Sequence, residues 1–227
     1  MAFNTVREID NLVPIRHVLV SLFDKTGLAP FVQGLLETCP GIRLYSTGGT
    51  YKALEEVLGE KAKDHLVAVS EYTGQPEMQG GLVKTLDFKI YLGILSETYN
   101  EAHQADLRRT QAVSIDMVIG NLYPFQRVTA NADVTPEEAR GNIDIGGPCM
   151  IRASAKNFIR TASVTDTADY PALLEELRAT GGKLSLRTRF HLMQKAFAHT
   201  AAYDAAIARF FGDLSSEKVS ATYPTQH

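Results

Sequence analysis

"HVLVSLFDKTG" runs from His17 to Gly27. Its first seven residues form a nearly unbroken β-prone run, without the polar alternation of a half-exposed strand. Such a run is expected of a strand covered on both faces. Asp-Lys-Thr-Gly breaks the run, and "LAPFVQGLLETC" (Leu28 to Cys39) restarts with helical spacing. Pro30 falls in the first turn of that helix, where a missing N–H is tolerated. Strand, turn and helix in succession are the repeating unit of a parallel sheet.

The unit recurs outward from this point. "GIRLY" (Gly41 to Tyr45) reads as a strand, "STGGT" (Ser46 to Thr50) as its loop and "YKALEEVL" as the next helix. "LVAVS" reads as a third strand. "FKIYLGIL" and "IDMVIGNLYPF" are each expected to contain a further strand, and "TASVTD" another, leading into the helix "YPALLEELRAT". "LRTRFHLMQKAFAHTAAYDAAIARFFGDL" keeps helical spacing for about seven to eight turns. The alternation predicts an α/β fold, with a mainly parallel sheet, helices on both faces and a C-terminal helical segment. Residues 1–16 are expected as an N-terminal extension, 17–214 as the domain, and 215–227 as a polar, frayed tail.

Composition narrows the classes. The 227 residues are 44% hydrophobic and 22% charged, as in soluble globular proteins, with a formal net charge of −3. That balance gives no support for nucleic-acid or membrane-surface binding, yet it leaves room for a local basic pocket. No stretch of about 20 apolar residues occurs, and "MAFNTVREIDNLVPIR" lacks the apolar core of a signal peptide. A cytoplasmic location is expected. Cys39 and Cys149 lie far apart without CxxC or Cys/His spacing, so neither a disulfide framework nor a metal site is expected.

In sheets of this class ligands gather at the carboxyl ends of the strands. STGGT offers Ser46, Thr47 and Thr50 hydroxyls with Gly48 and Gly49 at a helix start. It reads equally as a phosphate cradle or as a plain helix cap. DKTG adds Lys25 and Thr26, favouring the phosphate. "GGLVKTLD" places Lys84 and Thr85 in a long irregular stretch, Glu71 to Asp87, of the kind that is usually functional or disordered. Tyr123 of NLYPF is either a core aromatic or a hydrogen-bond donor at a pocket mouth. "NIDIGGPCMIRASAKNF" (Asn142 to Phe158) puts Asp144 just before a helix entered through Gly146, Gly147 and Pro148. Arg152 and Lys156 share a face of that helix at i,i+4. Lys156 lies about 13 Å along the helix from Gly147, a spacing that neither forces nor forbids a meeting with Asp144. His199 and Tyr203, also i,i+4, are expected to form a packed helix face.

Taken in order, DKTG, STGGT, TGQPEM with GGLVKTL, NLYPF, IDIGGP with MIRASAKN, and KAFAHTAAYD resemble the motifs of the IMP cyclohydrolase family. That family is the amino-terminal half of a bifunctional purine-biosynthesis enzyme whose other half is an AICAR formyltransferase. The resemblance runs from about His17 to Phe211. It implies a methylglyoxal-synthase-like fold, a free-standing cyclohydrolase and a homodimer. The implied reaction is the dehydrating ring closure of FAICAR to IMP, with a separate formyltransferase as metabolic partner and no cofactor, metal, nucleic acid or membrane. The resemblance further implies that Lys84 and Tyr123 face the formyl oxygen, while Asp144 and Lys156 form a paired proton relay. Lys25, Thr26, Ser46, Thr47, Gly48, Gly49, Thr50, Thr85, Gly146 and Gly147 would hold substrate, and Asn121 the heterocycle.

The chain departs from the family pattern at several positions. Phe23 stands for the second serine of SVSDKTG, and Leu82 for the arginine of GRVKTLHP. Asp87-Phe88 stands for His-Pro, and Tyr91 for a histidine. These departures motivate a second reading, a non-catalytic purine-nucleotide-binding or assembly module with a diverged pocket. A third, a lyase acting on a triose phosphate, shares the fold but not IDIGGP or KAFAHTAAYD.

Overall fold

The computed structural model describes residues 5–75, 84–131 and 133–223. The chain begins β1 (Leu12–Pro14), β2 (His17–Ser21), α1 (Leu28–Thr38), β3 (Arg43–Ser46), α2 (Gly48–Leu58), α3 (Ala62–His65), β4 (Leu66–Ala68) and α4 (Val69–Thr73). Then come α5 (Phe88–Leu95), α6 (Glu101–Thr110), β5 (Met117–Gly120), α7 (Phe125–Thr129), α8 (Pro136–Gly141) and α9 (Gly146–Lys156). The last elements are β6 (Ala162–Val164), α10 (Tyr170–Thr180), β7 (Lys183–Ser185), α11 (Leu186–Gly212) and α12 (Ser216–Thr222).

Five strands form a parallel sheet in the order β4-β3-β2-β5-β6. The hydrophobic run that opened the sequence, β2, is the central strand. Its side chains alternate between two buried clusters. Val18 and Val20 face one with Phe31, Leu35, Leu54 and Leu192, and Leu19 faces the other with Ile90, Ile94 and Met150. Burial on both faces explains why the strand carries no polar alternation.

The chain builds β2, β3 and β4 outward in one direction, then returns to lay β5 on the other side of β2. A cleft opens where the order reverses, at the carboxyl ends of β2 and β5. The fold therefore puts Phe23 and Asn121 beside each other before any chemistry is considered.

Three expectations need correction. Phe88–Leu95 is the helix α5 rather than a strand; the Asp87 carboxylate caps it, accepting from the Lys89 amide at 2.7 Å and the Ile90 amide at 3.4 Å. A short, mostly apolar run fits a helix as well as a strand; here one stripe, Ile90, Gly93 and Ile94, is buried, and the cap decides for helix. Residues 12–14 form β1, antiparallel to β7. The buried Arg189 locks that pair by donating to the carbonyls of Asp10 (2.8 Å) and Asn11 (3.1 Å). The N-terminal segment is thus built into the domain. The polar tail carries a short helix, α12, capped by Ser215.

At the amino ends of the strands, Asp116 and Arg160 form a buried ion pair at 3.1 Å. Asp116 accepts from the Arg16 and His17 amides, and Arg160 donates to the carbonyls of Gly93, Ile94, Ser96 and Ile115. This network fixes the base of the sheet, opposite the cleft.

Candidate functional site

The cleft holds a cavity of about 540 Å³. The β2–α1 turn supplies Ser21, Leu22, Phe23 and Lys25. Thr47, Gly49 and Thr50 come from the start of α2, and Lys84 and Thr85 from the segment before α5. Asn121 and Tyr123 follow β5, and residues 141–147 enter α9.

Two helices, α2 and α9, begin at this cavity. The first bond within α2 runs from the Tyr51 amide to the Thr47 carbonyl, so the amides of Gly48, Gly49 and Thr50 have no acceptor inside the helix. Free amides and the positive end of a helix dipole favour an anion. The Lys84 ammonium adds charge to the same place: a methyl group on Gly48 would come within 2.8 Å of its Nζ. Gly48 is at φ 51°, in the left-handed region, so glycine serves here both for backbone conformation and for space. Lys25 Nζ donates to the carbonyls of Leu22 (3.2 Å) and Phe23 (3.3 Å), holding a second ammonium at the lining.

Among the described residues, Asp144 is the one carboxylate on the lining. Its Oδ1 accepts from the Gly147 amide at 2.9 Å, capping α9. Gly147 has no room for a side chain, since a Cβ there would lie 2.5 Å from Asp144 Oδ2 and 2.8 Å from Leu122. Burial pushes the Asp144 carboxyl above the usual carboxylate range, and bonds from the Gly147 and Tyr123 amides pull it partly back. The result is a carboxylate that binds a proton more readily than an exposed aspartate, facing a cavity with two lysines. From α11, the Tyr203 hydroxyl accepts from the Asp144 amide at 2.8 Å and donates to the Asn142 carbonyl at 3.5 Å.

Lys25, Thr47, Gly49, Thr85, Gly146 and Gly147 line the cavity with Lys84, Tyr123 and Asp144, so most of the expected residues come together. Gly48 touches it through its approach to Lys84. Others are committed elsewhere. Ser46 Oγ is buried in the sheet and donates to the Val20 carbonyl at 2.8 Å. Thr50 Oγ1 donates to the Leu22 carbonyl and accepts from the Leu22 amide, both at 3.0 Å. Thr26 Oγ1 donates to Asp24 Oδ1 at 2.7 Å, within its own turn. The Asn121 carboxamide accepts from the Phe23 amide (2.7 Å) and the Asp24 amide (3.0 Å), and donates to the Asp24 carbonyl (2.8 Å). It clasps two loops together at the cavity lining.

Lys156 is the clearest departure. It is exposed at the C-terminal end of α9, while Asp144 caps the N-terminal end, about 15 Å away along the axis. The two side chains form no ion pair, so the expected relay is not assembled within one chain. Leu82, with the rest of residues 76–83, lies outside the described residues.

Sequence reasoning missed Ser21, Leu22, Ile145 and residues 141–143, all on the lining. Their signal is positional: they end β2 or join α8 to α9. Tyr203 was read as helix packing, and its hydroxyl gives it a second role. Among the described residues no group of three or more His, Cys, Asp or Glu side chains is placed to hold a metal ion, and no helix is long and apolar enough to cross a membrane.

Comparison with known proteins fits this architecture. An MGS-like domain model matches residues 27–149, and an AICARFT/IMPCHase bienzyme model matches residues 154–227. The bifunctional purine biosynthesis protein PurH of Neisseria meningitidis serogroup C is 46% identical over 206 residues, covering 91% of this chain and 38% of that protein. PurH of Magnetococcus marinus is 45% identical over 213 residues, covering 94% and 39%. The chain thus spans about two fifths of the length of the curated relatives it matches. A solved structure titled "Crystal structure of ForH" superposes with a TM-score of 0.75 at 31% identity, covering 87% of this chain and 97% of that one. With a five-stranded parallel sheet, a cavity at its switch point and a family match over residues 27–149, the chain belongs to the MGS-like domain family.

Proposed function

We propose that this chain acts in purine biosynthesis as an IMP cyclohydrolase, closing the second ring of FAICAR with loss of water. The observation that carries the reading is Asp144: a carboxylate of raised proton affinity, the only one among the described residues lining a cavity that also carries Lys25, Lys84 and the start of α2. The similarity to PurH supplies the substrate class.

The carboxamide nitrogen of FAICAR attacks the neighbouring formyl carbon, forming the ring C–N bond. Its proton passes by way of the Asp144 carboxylate to the formyl oxygen, which becomes a hydroxyl and leaves Asp144 as it began. Loss of that hydroxyl as water, with a proton from the adjacent ring nitrogen, forms the C=N bond of IMP. An amide nitrogen is a poor nucleophile, so a poised base and a cation at the oxygen are the two needs of the first step. Asp144 fits the first need, and the Lys84 ammonium with the Tyr123 hydroxyl the second. The ribose phosphate fits the amides of residues 48–50, the Thr47 hydroxyl and Lys25. A proton role for Lys156 is not part of this assignment.

The test is purified protein incubated with FAICAR, with IMP followed by absorbance and chromatography. Turnover that falls about 10²–10⁴-fold in Asp144→Asn supports the reading. Tight binding of a purine monophosphate with no IMP formed would instead favour a non-catalytic nucleotide-binding module.

A further inference from the structure

Among the described residues, Phe23 and Tyr123 are the two aromatic residues on the cavity lining. Their ring centroids lie 5.3 Å apart with planes tilted by 58°. Both rings are unusually open for their size, at 45% and 50% exposure. They are nevertheless held on fixed backbone. The Phe23 amide donates to Asn121 at 2.7 Å, and the Phe23 carbonyl accepts from Lys25. Tyr123 follows two residues after Asn121, so one carboxamide clasp sets the spacing of both rings. The anion-binding end, with the α2 amides and Lys84, belongs to the same cavity.

A rigid, half-exposed aromatic pair beside an anion site leaves apolar ring surface in water, which a flat ligand would cover. We infer that Phe23 is a specificity-determining residue, forming with Tyr123 a wedge that takes the planar heterocycle of a purine ribonucleotide whose phosphate is held at α2. The inference rests on the nucleotide reading and deepens it. The serine that the family pattern carries at this position offers a hydroxyl; phenylalanine offers a π-face and no hydrogen bond.

The experiment uses the full chain, with Phe23→Ser and Phe23→Leu, and calorimetric titration of IMP and of ribose 5-phosphate. Phe23→Ser is expected to weaken IMP binding about tenfold or more, as loss of a stacking ring does, and Phe23→Leu by less. Ribose 5-phosphate should bind all three proteins alike. Unchanged IMP affinity in Phe23→Ser would overturn the inference, as would an equal loss for ribose 5-phosphate, which would place the ring's effect on the anion end. Wild-type protein that binds ribose 5-phosphate no worse than IMP would sink the stacking inference alone. Binding of neither compound would remove the nucleotide reading itself.

Discussion

The Tyr203 hydroxyl lies 2.8 Å from the Asp144 amide nitrogen and accepts its proton, tying the middle of α11 to the carboxylate that faces the cavity. The two residues are 59 apart in sequence, and the tyrosine is buried while its partner is partly so. Tyr203→Phe keeps the ring in its aromatic cluster with Phe125 but leaves a buried N–H without an acceptor. The expected cost is about 1–3 kcal/mol in stability. Turnover should fall about tenfold with KM little changed, since the defect lies in the aim of Asp144 rather than in anion binding. Equal changes in kcat and KM would speak against a positioning role.

Asp144→Asn separates stability from activity. A carboxyl whose proton affinity is raised by folding stabilises the protein below its unfolded pKa, and that contribution is lost as pH rises through the folded value. The asparagine variant has no such loss and can still accept from the Gly147 amide. Its thermal midpoint should match wild type in acid and exceed it near neutrality, while turnover collapses. The wild-type rate should fall on the acid side with an apparent pKa above the usual aspartate range. A variant less stable than wild type at pH 7 would contradict the burial argument.

Gly48→Ala tests the contact between backbone and ammonium. The left-handed backbone costs about 1–2 kcal/mol for a residue with a Cβ, and the added methyl meets Lys84 Nζ at 2.8 Å. Both stability and phosphate affinity should drop. Gly49→Ala, where an added methyl meets nothing within 4 Å, should affect stability much less. Similar losses in both variants would mean that Lys84 is not held at this point.

Arg160→Ala should act on the fold and not on the site. Burial works against both charges of the Asp116–Arg160 pair, pushing the aspartate up and the arginine down, so the pair itself adds little net stability. Removing one member leaves the other buried and uncompensated, at about 3–5 kcal/mol. Chemical denaturation should register that loss. KM at the opposite end of the strands should hold in whatever fraction remains folded.

Much of this architecture was legible in the residues. The unbroken run in β2, the glycine-rich turns and the 27-residue α11 announce themselves by composition and period. Phe88–Leu95 does not, because its buried stripe of Ile90, Gly93 and Ile94 is short and set among other apolar residues, and an aspartate before it fits a loop as well as a helix cap. At the site, motifs located the right loops but not the partners of their hydroxyls. Ser46, Thr50 and Asn121 are polar groups at a strand end, which is what a ligand contact requires and also what a loop clasp requires; only the distances tell them apart. Lys156 stands apart from Asp144 within the chain for a simpler reason: ten residues of helix separate the ends of α9 by more than a lysine can span.

The convergence of α2 and α9 has a kinetic consequence. The open N-terminus of α2 and two lysines should draw anionic solutes into one mouth, against the Asp144 carboxylate that caps α9, from a molecule whose overall charge is negative. Encounter should then be guided over roughly one screening length, so the bimolecular capture rate of a phosphorylated ligand should decline as potassium chloride is raised. Escape of the bound molecule, governed by short-range contacts, should respond far less.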